Sequence, residues 1–201
     1  MSRHSSIIHV LREFKRYVKL SGVEEIARRY FVMNLFDGSL AVLGVVLGSY
    51  AAGVRDPSVV IKVGLGVGVA MAVSGFSGAY MAERAERTRE LKVLEKALFS
   101  DLEKTAFGRA SSFAALLAAI VNGISPIAAI AVATAPFMLA SLGFFNFNVA
   151  VAWSAALMIA TLFILGIYMG KVSGESVLIS GFKALLIGGV TASLLLLIQV
   201  L

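Results

Sequence analysis

Between Ala110 and Gly170 the chain carries no Asp, Glu, Lys or Arg. About one residue in four is charged in a soluble domain, so an uncharged run of this length calls for an apolar solvent. A bilayer core of about 30 Å is crossed by about 20 apolar residues, which makes the run too long for one span and suits two. The two are expected at about 110–138 and 148–170, with Pro126 and Pro136 kinking the first and Ser141–Asn148 holding the turn. Composition agrees. Hydrophobic residues make up 59% of the 201, charged residues 15%, and mean hydropathy is +0.89. The chain reads as an all-α integral membrane protein.

Three more apolar segments, at about 30–53, 59–81 and 177–200, complete five transmembrane helices. Arg55-Asp56-Pro57-Ser58 reads as a tight turn between the first two, and Lys171–Ser176 as a short polar loop before the last. Ahead of them, residues 5–20 place Ile7, Ile8, Leu11, Phe14 and Val18 at helical spacing, with Arg12, Lys15, Arg16 and Lys19 elsewhere. That pattern describes a basic amphipathic helix lying on an anionic lipid surface. His4 and His9 fall on it, too isolated to serve as ligands. Ser21 and Glu24 then fit a capping box. The domain reading is an amphipathic surface helix over 1–21 and a five-span membrane domain over 22–201.

Arg55 and Lys62 fall on one side of the five spans, and the rest of the 18 Lys and Arg on the other. The positive-inside rule therefore puts the N-terminus and the charged segment 83–109 in the cytoplasm and the C-terminus outside. The net charge of +6 is accounted for by this topology, without nucleic acid as a partner. With no cysteine, disulfides, thiolate metal sites and thiol catalysis are excluded.

Residues 83–109 lack Gly and Pro until Gly108, which predicts one long cytoplasmic helix. At about 100° per residue, Glu83, Glu86, Glu90 and Asp101 share one face of it. Glu86 and Glu90 repel by a few tenths of a kcal/mol unless something positive lies between them. Arg87 and Lys104 border the arc and offer one answer; a divalent cation is the other. Pairs such as Glu83–Arg87 make an ordinary solvated face the plainer reading. Beside the arc run Leu91, Leu94, Leu98 and Leu102, a seam for a protein partner, the first helix or a second copy of the chain.

Asp37 is the acidic residue inside a span, about 12 Å from Arg29 along a helix rising 1.5 Å per residue. A carboxylate so placed costs several kcal/mol in hydrocarbon and marks an ion or proton path, against the alternative of a hydrogen-bonded structural carboxyl, paired for instance with Asn122. Met81 and Met71 offer soft sulfur, although a Met in a span is more often packing. Gly44, Gly48 and Ala52, and again Gly64, Gly68 and Ala72, make small-residue faces for close helix packing. A faint repeat pairs Phe36-Asp37-Gly38 with Val121-Asn122-Gly123.

The order Arg28-Arg29, Asn34-Leu35-Phe36-Asp37-Gly38, Gly78-Ala79-Tyr80 with Glu83 and Glu86, and Asn122-Gly123-Ile124-Ser125-Pro126 resembles the vacuolar iron transporter family, in its short archaeal and bacterial branch. The resemblance covers about residues 24–200. It implies a homodimer in a prokaryotic cell membrane that exports Fe²⁺ or Mn²⁺ from the cytoplasm against protons, with Asp37 in the translocation path and cytoplasmic glutamates capturing metal. The better-known members have a Glu where this chain has Ala79 and a Met where it has Gly75, and a longer cytoplasmic insertion. The metal set expected on this basis is Asp37, Glu83, Glu86, Glu90, Met81 and Asn122, with the ion as cargo and no resident cofactor. The competing reading is a membrane scaffold that binds a protein through the Leu seam. An enzyme ranks behind both, because no catalytic pair stands out.

Overall fold

A computed structural model describes residue 18 and residues 22–198. Of the expected surface helix at 5–20 only Val18 is described; it is helical and packs against the core of the first unit, and the rest of that helix, with Ser21 of the capping box, lies outside the described residues. Every regular element among the described residues is an α-helix: α1 Val23–Ala51, α2 Pro57–Leu98, α3 Ala106–Ser141, α4 Phe147–Ser173 and α5 Val177–Ile198. All five are long and apolar enough to cross a membrane. The chain packs as two units. One comprises the residues up to Phe31 with Val73–Gly123, the other Val32–Ala72 with the residues from Ile124 on.

The helix ends follow local chemistry. Gly53 (φ 77) turns the chain after α1. There Arg55 donates from Nη1 to the carbonyls of Tyr50 (3.1 Å) and Val54 (2.8 Å) and stacks 4.6 Å over the Tyr50 ring. A cation at a helix C-terminus meets both free carbonyls and the negative end of the dipole. Pro57 opens α2, where its missing N–H costs nothing. Asp56 caps it, accepting from Ser58 N and Ser58 Oγ, both at 2.9 Å. These bonds, the backbone one first, hold the Asp56 carboxyl below the usual carboxylate range. Asn146 caps α4 by accepting from Val149 N at 2.9 Å, and Gly174 (φ 73) ends it.

The expectation of a span over 59–81 followed by a separate helix over 83–109 is corrected. α2 is one helix of 42 residues. From Glu83 to Leu98 every residue except Thr88 and Val93 is Glu, Arg, Leu, Lys or Ala, all strong helix formers, and no Gly or Pro occurs, so nothing stops the helix where its apolar part ends. It stops at Phe99, whose φ of 49 places it where a glycine usually stands. Glu95 Oε1 accepts from Leu102 N (2.9 Å), and Asp101 Oδ1 from Glu103 N (3.0 Å). Thr105 Oγ1 accepts from Gly108 N (3.4 Å) at the start of α3. Asp101 therefore leaves the acidic arc.

In the first unit Val23, Ala114 and Ala118 form the core, with Ile26, Tyr30 and Leu117 against it. In the second, Val42, Leu43, Ile130, Ala133 and Met158 make one cluster and Val46, Val60, Phe137, Ala150 and Val151 another. Ser154 Oγ crosses from α4 to the Ala133 carbonyl of α3 at 2.7 Å. Small residues allow the close approaches. A methyl on Gly38 would sit 2.9 Å from Pro126 Cα, and one on Gly68 2.7 Å from Ile130 Cδ1. Gly64 likewise faces Thr134, whereas Gly48 has nothing within 4 Å and so is no packing contact in the chain.

Candidate functional site

Glu83 is turned inward. It is 9% exposed, and its Oε1 accepts from Tyr30 Oη at 3.2 Å. Arg87 Nε, one turn further along α2, stands 3.8 Å from Oε2. Tyr30 itself packs on the Val23–Ala114–Ala118 core, so the carboxylate is fixed by the interior of the first unit. Glu86 and Glu90 are exposed, and Glu86 meets Arg89 at 3.7 Å. The structure thus splits the expected trio: Glu83 lies inside the unit, and the other two on its surface. Met81 is 70% exposed. Asn122 is buried, and its Nδ2 donates to the Gly75 carbonyl at 2.8 Å. A methyl on Gly75 would already lie 3.2 Å from the Asn122 carbonyl oxygen, and Ala79, one turn on, is buried too. This is where longer side chains stand in the family the sequence resembles. Among the described residues no three Asp, Glu or His side chains gather as a metal site.

Asp37 belongs to the second unit and is exposed, while its neighbour Gly38 is buried against Pro126. The carboxylate lines a groove of about 450 Å³ whose walls come from α1 (Val32, Met33, Phe36), α4 (Leu165, Met169) and α5 (Ala184, Ile187). Met33 and Asp37 are four residues apart and share a helix face. Lys183 and Glu175 edge the same groove, paired at 3.4 Å. The site is thus an outward-facing carboxylate with thioethers beside it, on walls that are otherwise apolar.

The sequence reading missed Tyr30, Met33, Met169 and the placing of Lys183. Met33 was within reach, since it precedes Asp37 by one turn. Tyr30, 53 positions from Glu83, carried no local signal.

These features define a class: a helical protein with, among the described residues, five long apolar helices, a tethered carboxylate inside the first unit and an outward-facing one on the second. No protein-family model matches the chain. An uncharacterized protein of Methanocaldococcus jannaschii is 39% identical over 162 residues, 79% of this chain and 81% of that protein. The chain belongs to the same family as that archaeal protein.

Proposed function

We propose that the chain is an integral membrane transporter that moves a divalent metal, Fe²⁺ or Mn²⁺, out of the cytoplasm in exchange for protons, working as a homodimer. The observation that carries this reading is the exposure of Asp37. A carboxylate facing lipid at mid-helix costs about 2.5–3.5 kcal/mol on insertion scales and more on an isolated helix. Such a residue is tolerated where protein or water covers it. A second copy laid on this face would bring its own Asp37, Met33 and Met169; carboxylates suit Mn²⁺ and Fe²⁺, and the thioethers add softness that Mg²⁺ and Ca²⁺ do not use.

The charged end of α2 lies in the cytoplasm on this reading, as the distribution of Lys and Arg requires. Glu86 and Glu90, on its surface, serve as the capture site. Two carboxylates cannot satisfy a cation that takes six ligands, so water and the same residues of a second copy complete the shell. Protons compete for every one of these carboxylates, which is the physical basis of exchange. Glu83, held by Tyr30 and Arg87, positions the helix and does not capture.

Reconstituted protein tests this directly. Mn²⁺ flux into vesicles, followed with a pH-sensitive dye, should be abolished in Asp37→Asn while the variant stays folded and dimeric. Unchanged flux in that variant removes Asp37 from the mechanism. Calorimetry on Glu86→Gln with Glu90→Gln should show weaker Mn²⁺ capture than on Arg84→Gln with Arg89→Gln.

A second reading, a scaffold for a protein partner, is favoured by the apolar tip of α2, where Leu98 is 61% and Phe99 96% exposed. Wild-type protein that carries no metal flux at all would leave this reading in place.

A further inference from the structure

A cleft of about 270 Å³ lies within the first unit, between the charged half of α2 and the first turns of α3. From α2 come Tyr80, Arg84 and Arg87, at i, i+4 and i+7; from α3 come Ser111 and Ser112. Arg84 donates from Nη1 to Tyr80 Oη at 2.7 Å and stacks 5.8 Å over its ring, which fixes the guanidinium at the mouth. Arg87 is steadied by Glu83. Two guanidiniums one turn apart repel, and an anion between them removes the penalty.

The lining also carries a negative group. Glu103, from the loop after α2, also lines the cleft. Its position is built: Gly108 leaves room for the loop, since a methyl there would overlap the carbonyls of Leu102 and Glu103. Glu95 holds Leu102 N and Asp101 holds Glu103 N. The lining of the cleft thus brings together two guanidiniums, two hydroxyls and one carboxylate.

We propose that this cleft binds a phosphate ester that also carries an amine, with the phosphate on Arg84 and Arg87 and the ammonium at Glu103. Guanidinium forks match phosphate oxygens. The N-terminal dipole of α3 favours the same charge, whereas Glu103 works against a bare anion. The volume is below that of a drug-sized pocket, which fits a headgroup and not a nucleotide. The apolar part of α2 ends at Ala82 and the uncharged part of α3 begins at Ala110, so on the membrane reading the cleft lies at headgroup depth. A lipid headgroup is therefore the favoured source, and a free phosphoester the other. The inference does not depend on metal transport.

Unfolding midpoints of the purified chain in neutral detergent test it, with phosphatidylethanolamine, phosphatidylglycerol and water-soluble phosphoethanolamine as probes. A ligand bound only by the folded state raises the midpoint. Phosphatidylethanolamine should do so, and Arg84→Gln and Ser112→Ala should each weaken its binding, the first by about tenfold. Arg89→Gln, on another face of α2, should leave it unchanged. In Glu103→Gln, phosphatidylglycerol should become as effective as phosphatidylethanolamine. An equal shift from phosphoethanolamine at the same concentration supports the site and assigns it to a soluble ligand. No shift with any probe, or the wild-type shift in both Arg84→Gln and Ser112→Ala, overturns the proposal. Phosphatidylglycerol matching phosphatidylethanolamine on the wild type overturns the amine half.

Discussion

Tyr30→Phe removes a single hydroxyl and asks how much of the first unit rests on Glu83. A hydrogen bond to a charged group contributes about 1.5–3 kcal/mol. The Tyr30–Glu83 distance of 3.2 Å is long for an O–H···O bond, so the lower end applies, about 1.5 kcal/mol. Glu83→Gln keeps the shape and removes the charge opposite Arg87. Breaking a buried pair costs about 3–5 kcal/mol, but this pair is 3.8 Å apart with side chains 14% and 11% exposed, so about 2 kcal/mol is expected. The two changes act on one carboxylate, and the double variant should cost about 1 kcal/mol less than their sum. Denaturant titration of the purified chain in detergent reads these values, since 1.4 kcal/mol is tenfold in the equilibrium. Glu86→Gln, at the surface, should stay within about 0.5 kcal/mol of wild type. Wild-type stability in Tyr30→Phe, or Glu86→Gln as damaging as Glu83→Gln, would refute the inward, structural role of Glu83.

Phe99→Gly should raise stability by about 0.5–1 kcal/mol in the same titration: it relieves a left-handed backbone at about 1–2 kcal/mol and gives part of that back in chain entropy. Gly38→Ala should destabilise by about 1–3 kcal/mol because its methyl meets the Pro126 backbone, whereas Gly48→Ala, in open space, should gain up to about 1 kcal/mol. Asp56 ionises more easily folded than unfolded, so its cap is fully present above the ordinary carboxylate range and is lost as pH falls through its depressed folded value. Amide protection in the first turn of α2, taken relative to the intrinsic exchange rate at each pH, should fall over that acid window in wild type and show no such step in Asp56→Asn.

The five helices were legible because hydropathy and the placing of charge are properties of the chain itself. The end of α2 was not. Phe99 sits at a left-handed position with no glycine to announce it, although Asp101 and Thr105 were cap and turn residues that could have flagged the loop. The inward turn of Glu83 was hidden for a related reason. Helical spacing says which residues share a face, and Glu83 does lie beside Glu90 on the wheel. It cannot say that Tyr30, from another helix, draws one of them inward. Gly38 and Asp37 show the opposite case. Adjacent residues point about 100° apart, so the glycine that lets α3 approach leaves the carboxylate on the outer face.

The outward carboxylate of Asp37 also has a bearing on biosynthesis. An aspartate at mid-helix taxes insertion by about 2.5–3.5 kcal/mol, against about 0.3–0.6 kcal/mol gained from each Leu, Ile, Val or Phe. On the membrane reading the apolar residues of α1 outweigh it, so the helix would enter the bilayer with its carboxylate unrelieved. On the dimer reading, relief comes when a second chain arrives. A newly made, solitary copy is then the least comfortable state the molecule passes through, and its carboxylate marks it as unassembled to any quality-control system that surveys the membrane.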